Sequence, residues 1–168
     1  MPAGEIATSA RSDIFLRVQT KRAGMIKGEG STAGHVDDIE VLRWHWGVAA
    51  GSAIGSTGAT ARRQYKQLVV CKRIDSASTG LLSALATNDE VREATISMRK
   101  AGGEALDYLT MTLRSARVVA VDIDVDGEGW PTESVSLAYT KIDVEYKRQQ
   151  ASGISGAAFS FNDEVLPP

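Results

Sequence analysis

One cysteine and two histidines among 168 residues leave little material for soft-metal or nucleophilic chemistry. Cys71 stands alone, which excludes an internal disulfide and any thiolate set for zinc or an iron–sulfur cluster. It lies in the apolar run Leu68 to Cys71, the setting of a buried structural thiol and not of a reactive one. His35 and His45 are the only imidazoles, and no Gly-x-Ser-x-Gly elbow or paired-carboxylate motif accompanies them. No catalytic residue, cofactor or metal ligand is therefore assigned, and enzyme activity is not expected. His35 precedes a strand and reads as a turn or surface histidine. Charge of one sign is also lacking: 19 basic against 21 acidic residues give a net charge of -2, which removes any general reason to expect nucleic acid or an anionic membrane as partner. Long apolar runs are absent too. Met1 to Ser12 holds none, so a Sec-type signal peptide is not supported, and no later stretch reaches membrane-spanning length.

What the chain does have is alternation that changes phase. Between Asp38 and Trp46, Ile39 and Val41 share one face while Leu42, Trp44 and Trp46 share the other. A strand that swaps its buried side contains a bulge or passes from one packed layer into a second, because an unbroken period of two would leave half its apolar residues in water. Ser134 to Lys147 repeats the pattern, with Val135, Leu137 and Tyr139 on one face and Ile142, Val144 and Tyr146 on the other. Two strands bent alike imply a curved, closed sheet.

The remaining chain reads as further strands and one helix. Asp13 to Gln19 turns Ile14, Leu16 and Val18 inward, with Phe15 as the misfit, and a glycine-bearing loop follows from Gly28 to Gly34. Gln64 to Ile74, Val91 to Lys100, Leu106 to Leu113 and Arg117 to Val125 are strands, the middle pair joined through Ala101-Gly102-Gly103. Ser78 is the expected N-cap of a short helix, about Ser78 to Thr87, whose apolar face is Leu81, Leu82 and Leu85. Phe159 and Phe161 alternate as if a tail strand pins the C-terminus. The length suits one domain over 1–168, enough to bury roughly 70% of the unfolded chain's surface. Within it, 1–12 is expected to be a flexible N-terminus, 48–62 a mobile Gly-, Ser- and Thr-rich loop, and 149–168 a C-terminal extension.

One metal motif competes. Asp122, Asp124, Asp126 and Glu133 satisfy the calcium-loop pattern D-x-D-x-D-G-x5-E. That loop needs flanking helices and a branched apolar residue at its eighth position, whereas here Gly129 stands there, Pro131 follows, and both flanks read as strands. A solvated strand and hairpin is the preferred reading, with a secreted calcium-dependent β-sandwich binding module as the alternative function.

An ordered set of short motifs now becomes informative. Asp13-Ile-Phe-Leu, Lys27-Gly28-Glu29, His35 with Asp37-Asp38-Ile39-Glu40-Val41, Trp44-His45-Trp46-Gly47, Lys72-Arg73-Ile74-Asp75-Ser76-Ala77-Ser78, Arg99-Lys100-Ala101-Gly102-Gly103, Tyr108-Leu109, and Glu133-Ser134-Val135-Ser136-Leu137 with Lys141-Ile142 and Tyr146 occur in sequence. Together the chain resembles the haemolysin-coregulated protein (Hcp) family of bacterial type VI secretion. The departures are Thr79, where a proline often opens the helix, and His45, where a small hydroxyl residue is common. The resemblance implies a mainly β fold, a compact β-barrel of two sheets with one short α-helix and long loops. It also implies hexameric rings stacking as the inner tube of the machine, with spike and sheath proteins as partners and small effector proteins held in the lumen. Such a subunit is made in the bacterial cytoplasm and exported without a Sec signal. If Trp44 and Trp46 are core anchors, the alternation turns Arg43 and His45 the opposite way, toward the lumen, as candidate effector-binding residues.

Overall fold

A computed structural model describes residues 11–51, 63–101, 106–149 and 155–165. Their strands are β1 (Ser12–Thr20), β2 (Gly24–Ile26), β3 (Ile39–Val41), β4 (Arg43–His45), β5 (Val48–Ala50), β6 (Arg63–Tyr65), β7 (Leu68–Lys72), β8 (Val91–Lys100), β9 (Asp107–Val125), β10 (Pro131–Ala138), β11 (Lys141–Gln149) and β12 (Ser155–Glu164), and the helix among the described residues is α1 (Ser78–Ala86). Ten strands form one antiparallel hydrogen-bonded network folded into two layers, and β5 and β6 make a separate hairpin. The first layer runs from β2 and β3 through β1, β8, β9 and β11 to β12, and the second is β9, β10, β7 and β4. Between them lies the apolar core, led by Leu16, Ile39, Leu68, Leu81, Ile96, Leu113, Leu137 and Ile142. Each such side chain contributes about 1.5–3 kcal/mol by leaving water.

Three corners join the layers, and the phase changes in the sequence mark two of them. The first is Leu42: β3 pairs with β1 in one layer and β4 with β7 in the other. Leu42 itself is 42% exposed, contrary to the expectation that it shares the buried face of the tryptophans, because the chain pivots there. The second is Thr140, where Tyr139 ends one buried face and Ile142 begins the other. Tyr146, at the far end of β11, is open to solvent. The third corner was not visible: β9 is a single 19-residue strand, where two were expected, and its first half pairs with β8 and β11 while its second half pairs with β10. Ser115, with φ 46°, makes the bend between the halves. The two layers are accordingly joined by chain corners and the ladder does not close on itself, a correction to the curved, closed sheet expected.

Further expectations are corrected locally. Residues 1–10 lie outside the described residues, but Ser12 already belongs to β1. Of the segment 48–62, Val48–Ala50 pairs with Arg63–Tyr65, and 52–62 lies outside the described residues, as does 102–105 of the Ala101 turn. The C-terminal extension contains β12, which carries Phe159 and Phe161 along β11 as a tail strand. The N-cap is Ala77, not Ser78. Asp75 Oδ1 accepts the Ala77 N–H at 2.9 Å while Ser78 Oγ accepts the Asp75 N–H at 3.0 Å, so the two side chains start the helix reciprocally. It stops in a Schellman motif, with Asn88 left-handed at φ 52° and N–H groups of Asp89 and Asn88 returning to the carbonyls of Ala84 and Leu85.

Candidate functional site

The second layer presents a polar outer face. Antiparallel partners share a side, so one row across it reads Arg43, Cys71, Ser134, Asp122 and the next His45, Val69, Ser136, Ala120. Arg43 and His45 are exposed at the β4 edge, small side chains fill the middle, and Asp122 and Asp124 are exposed at the β9 edge. Cys71 is buried, as a structural thiol should be.

Alternation turns the two tryptophans the other way, where both are half-buried against the core. Trp46 Nε1 donates to the Tyr139 hydroxyl, which donates in turn to the Lys66 carbonyl at 2.7 Å. Tyr65 completes the cluster, tilted on Trp46 and edge-on to Tyr139. Burial pushes the Tyr139 hydroxyl above its ordinary pKa, outweighing the Trp46 hydrogen bond.

One polar network braces this face from its inner side, and a second lies on the outside of the first layer; the sequence reading named neither. Lys72 and Glu133, paired across β7 and β10, are each 0% exposed. Lys72 Nζ reaches Asp75 at 2.9 Å, Glu133 at 3.0 Å and Ser78 Oγ at 3.1 Å, tying both strands to the start of α1. The second network corrects the reading of His35 as a surface residue. Its ring is buried, stacked on Phe15 at 4.1 Å, with Nδ1 2.8 Å from Asp38 and Nε2 2.9 Å from Asp107. Arg17 binds Asp38 and Arg99 binds Asp107, and Arg99 also donates to the Ala33 carbonyl. This explains Phe15, which points away from the core and packs under the histidine. The Gly28 to Gly34 loop is held in place beside it: Gly28 and Gly30 donate to Asp37 and Asp38 carbonyls at 2.8 Å.

The four residues of the calcium motif are employed separately. Asp126 Oδ1 accepts the backbone N–H groups of Glu128 and Trp130, closing the β9–β10 turn, and the Glu133 carboxylate is committed to Lys72 inside the protein. Asp122 and Asp124 stand on the outer face of β9. Among the described residues no group of three or more His, Cys, Asp or Glu side chains is arranged to hold a metal ion.

With this geometry in place, comparison with known proteins is specific. The family described as "Type VI secretion system effector, Hcp" matches residues 15–146. Protein hcp1 of Pseudomonas aeruginosa is 31% identical over 145 residues, covering 84% of this chain and 86% of that protein. The crystal structure of Hcp1 from Salmonella typhimurium is 28% identical with a TM-score of 0.71 over 91% of this chain and 94% of that one. A structure described as a type six secretion system protein superposes with a TM-score of 0.82 over 92% of this chain and 96% of that one, and at 22% identity it speaks for the fold alone. The bent strands, the two layers and the ordered motifs are those of one family, and this chain belongs to it: it is a member of the Hcp family of type VI secretion.

Proposed function

We propose that this chain is the structural and transport subunit of a type VI secretion machine. Six copies close head to tail into a ring, rings stack as the inner tube, the tube leaves the cell on firing, and small effector proteins ride in its lumen. Family membership over residues 15–146 is the observation that carries this reading. The subunit works as one domain, meets spike and sheath proteins as the tube's neighbours, and is exported from the bacterial cytoplasm without a Sec signal. Its role is mechanical, not catalytic.

The polar outer face of β4, β7, β10 and β9 is the lumen wall in this reading. Its small central residues leave the channel smooth, and Arg43 with His45 repeats around it by symmetry. The opposite charges at the two edges, Arg43 on β4 and Asp122 on β9, favour edge-to-edge contact between neighbours. Native mass and negative-stain images of the purified chain test the ring: a strictly monomeric species at tens of micromolar overturns it. His45→Ala then tests the wall. It leaves ring mass and melting temperature unchanged while altering effector co-purification, and an unfolded or ringless variant would show that His45 is structural.

A further inference from the structure

A groove of about 460 Å³ opens at the Leu42 corner, away from the outer face described above. Four separate motif segments line it: Asp13 to Phe15, Glu29, Glu40 to Leu42, and Arg73 to Asp75. Its flanks are strand edges along which no described residue is paired. The ladder between β1 and β3 stops at Ile14, leaving Ser12 and Asp13 open on that side, and the ladder between β4 and β7 stops at Cys71. Two aliphatic side chains, Leu42 at 42% and Ile74 at 45% exposure, offer apolar surface between these edges. The rim carries Asp13, Glu29, Glu40 and Asp75 against Arg73 alone. Asp75 is fixed by Lys72 and Glu29 by the Ser76 N–H, so half the rim is preorganised. Among the described residues neither Asp13 nor Glu40 has a salt-bridge partner.

We propose that this groove receives an extended, basic segment of a different protein, laid against the open end of β1 with an apolar side chain between Leu42 and Ile74 and flanking Lys or Arg side chains on Asp13 and Glu40. An extended chain satisfies the free edge by main-chain hydrogen bonds and the groove floor by alternate side chains. The carboxylates select its charge and raise its association rate. The choice of a basic partner rests on the surplus of acid at the rim.

The test uses the full chain and a fluorescein-labelled Lys-Val-Lys-Leu-Lys peptide, with Glu-Val-Glu-Leu-Glu as control, read by anisotropy at two salt concentrations. The basic peptide binds saturably, the acidic one does not, and Asp13→Lys with Glu40→Lys weakens binding about tenfold or more. Ile74→Ser weakens it at both salt concentrations, separating groove docking from loose charge attraction. Both reversed residues are exposed, so melting temperature and ring mass stay unchanged. Absence of saturable binding, or affinity indifferent to either set of substitutions, overturns the proposal. Loss of the ring in the Asp13→Lys, Glu40→Lys variant would also overturn it by showing that the groove joins copies of this chain, whereas failure of the unmodified protein to form rings would count against the tube reading and leave the peptide result standing.

Discussion

Lys72 and Glu133 bring opposite charges together where no water reaches, an arrangement whose value depends on both being present. Removing one partner leaves the other charged and unsolvated, at a cost of about 3–5 kcal/mol, whereas replacing both with apolar residues of similar size is near neutral. Lys72→Ala is therefore expected to lower the urea midpoint sharply, and Lys72→Met with Glu133→Leu to recover most of it. An additive result, with the double variant worse than either single one, would contradict the pair's role. This network was half legible. Lys72 shares the parity of Leu68 and Val70, and Glu133 that of Val135 and Leu137, so alternation alone points both charged side chains inward. The register that sets them opposite each other is a long-range fact that no local pattern contains. The His35 network was less accessible still, since Asp107 and Arg99 come from strands far along the chain and a histidine three residues before an aspartate looks like an ordinary turn.

Elements add constraints that side chains alone do not. Gly30 lies so close to the backbone it faces that an added Cβ would stand 2.6 Å from the His35 carbonyl oxygen and 2.8 Å from that of Asp38. Backbone cannot yield as a flexible side chain does, so Gly30→Ala is expected to cost on the order of 2 kcal/mol, measured by denaturant unfolding. A different constraint holds β6 to β12. Asp163 takes the Tyr65 hydroxyl and Arg63, the latter at 2.7 Å, fastening the base of the β5–β6 hairpin to the tail strand. The Tyr65 hydrogen bond, first, and then the Glu164 N–H and Arg63 hold the Asp163 carboxyl below its ordinary range against the opposing effect of burial. Burial, then Asp163, raises Tyr65 above 10.0. The signs agree: Asp163 binds its proton less readily folded than unfolded, so its contribution is complete above the ordinary carboxylate range and lost as pH falls through its lowered value. Tyr65 limits the clasp at the other end, its contribution fading as pH rises through its raised value. Melting temperature followed over about pH 2 to 6 should show a shallower acid limb in Asp163→Asn than in the parent, and identical limbs would exclude the clasp as a source of acid sensitivity.

At the scale of the molecule, the employment of the calcium-motif residues makes a simple prediction. A ligand bound only by the folded state at a thousand times its Kd adds about 4 kcal/mol, so a micromolar calcium site would raise the melting temperature clearly in millimolar calcium. No shift is expected, and one abolished by Asp124→Ala would restore the calcium-module reading. The bends at Leu42 and Thr140 were legible because each leaves a phase error in the apolar pattern. The bend at Ser115 also shifts the buried parity, from Met111 and Leu113 to Ala116 and Val118, but Val119, 43% exposed and on the old parity, masks the shift in the sequence. That hidden bend bears on how the protein comes apart. A strand that is a member of both layers joins them through one continuous backbone, its first half bonded to β8 and β11 and its second to β10, so a layer that pulls away drags on the other layer's partner. Local openings that end at a layer boundary are thereby suppressed, and hydrogen exchange in the buried parts of β8 and β10 should proceed at one shared rate, through the whole-molecule unfolding event.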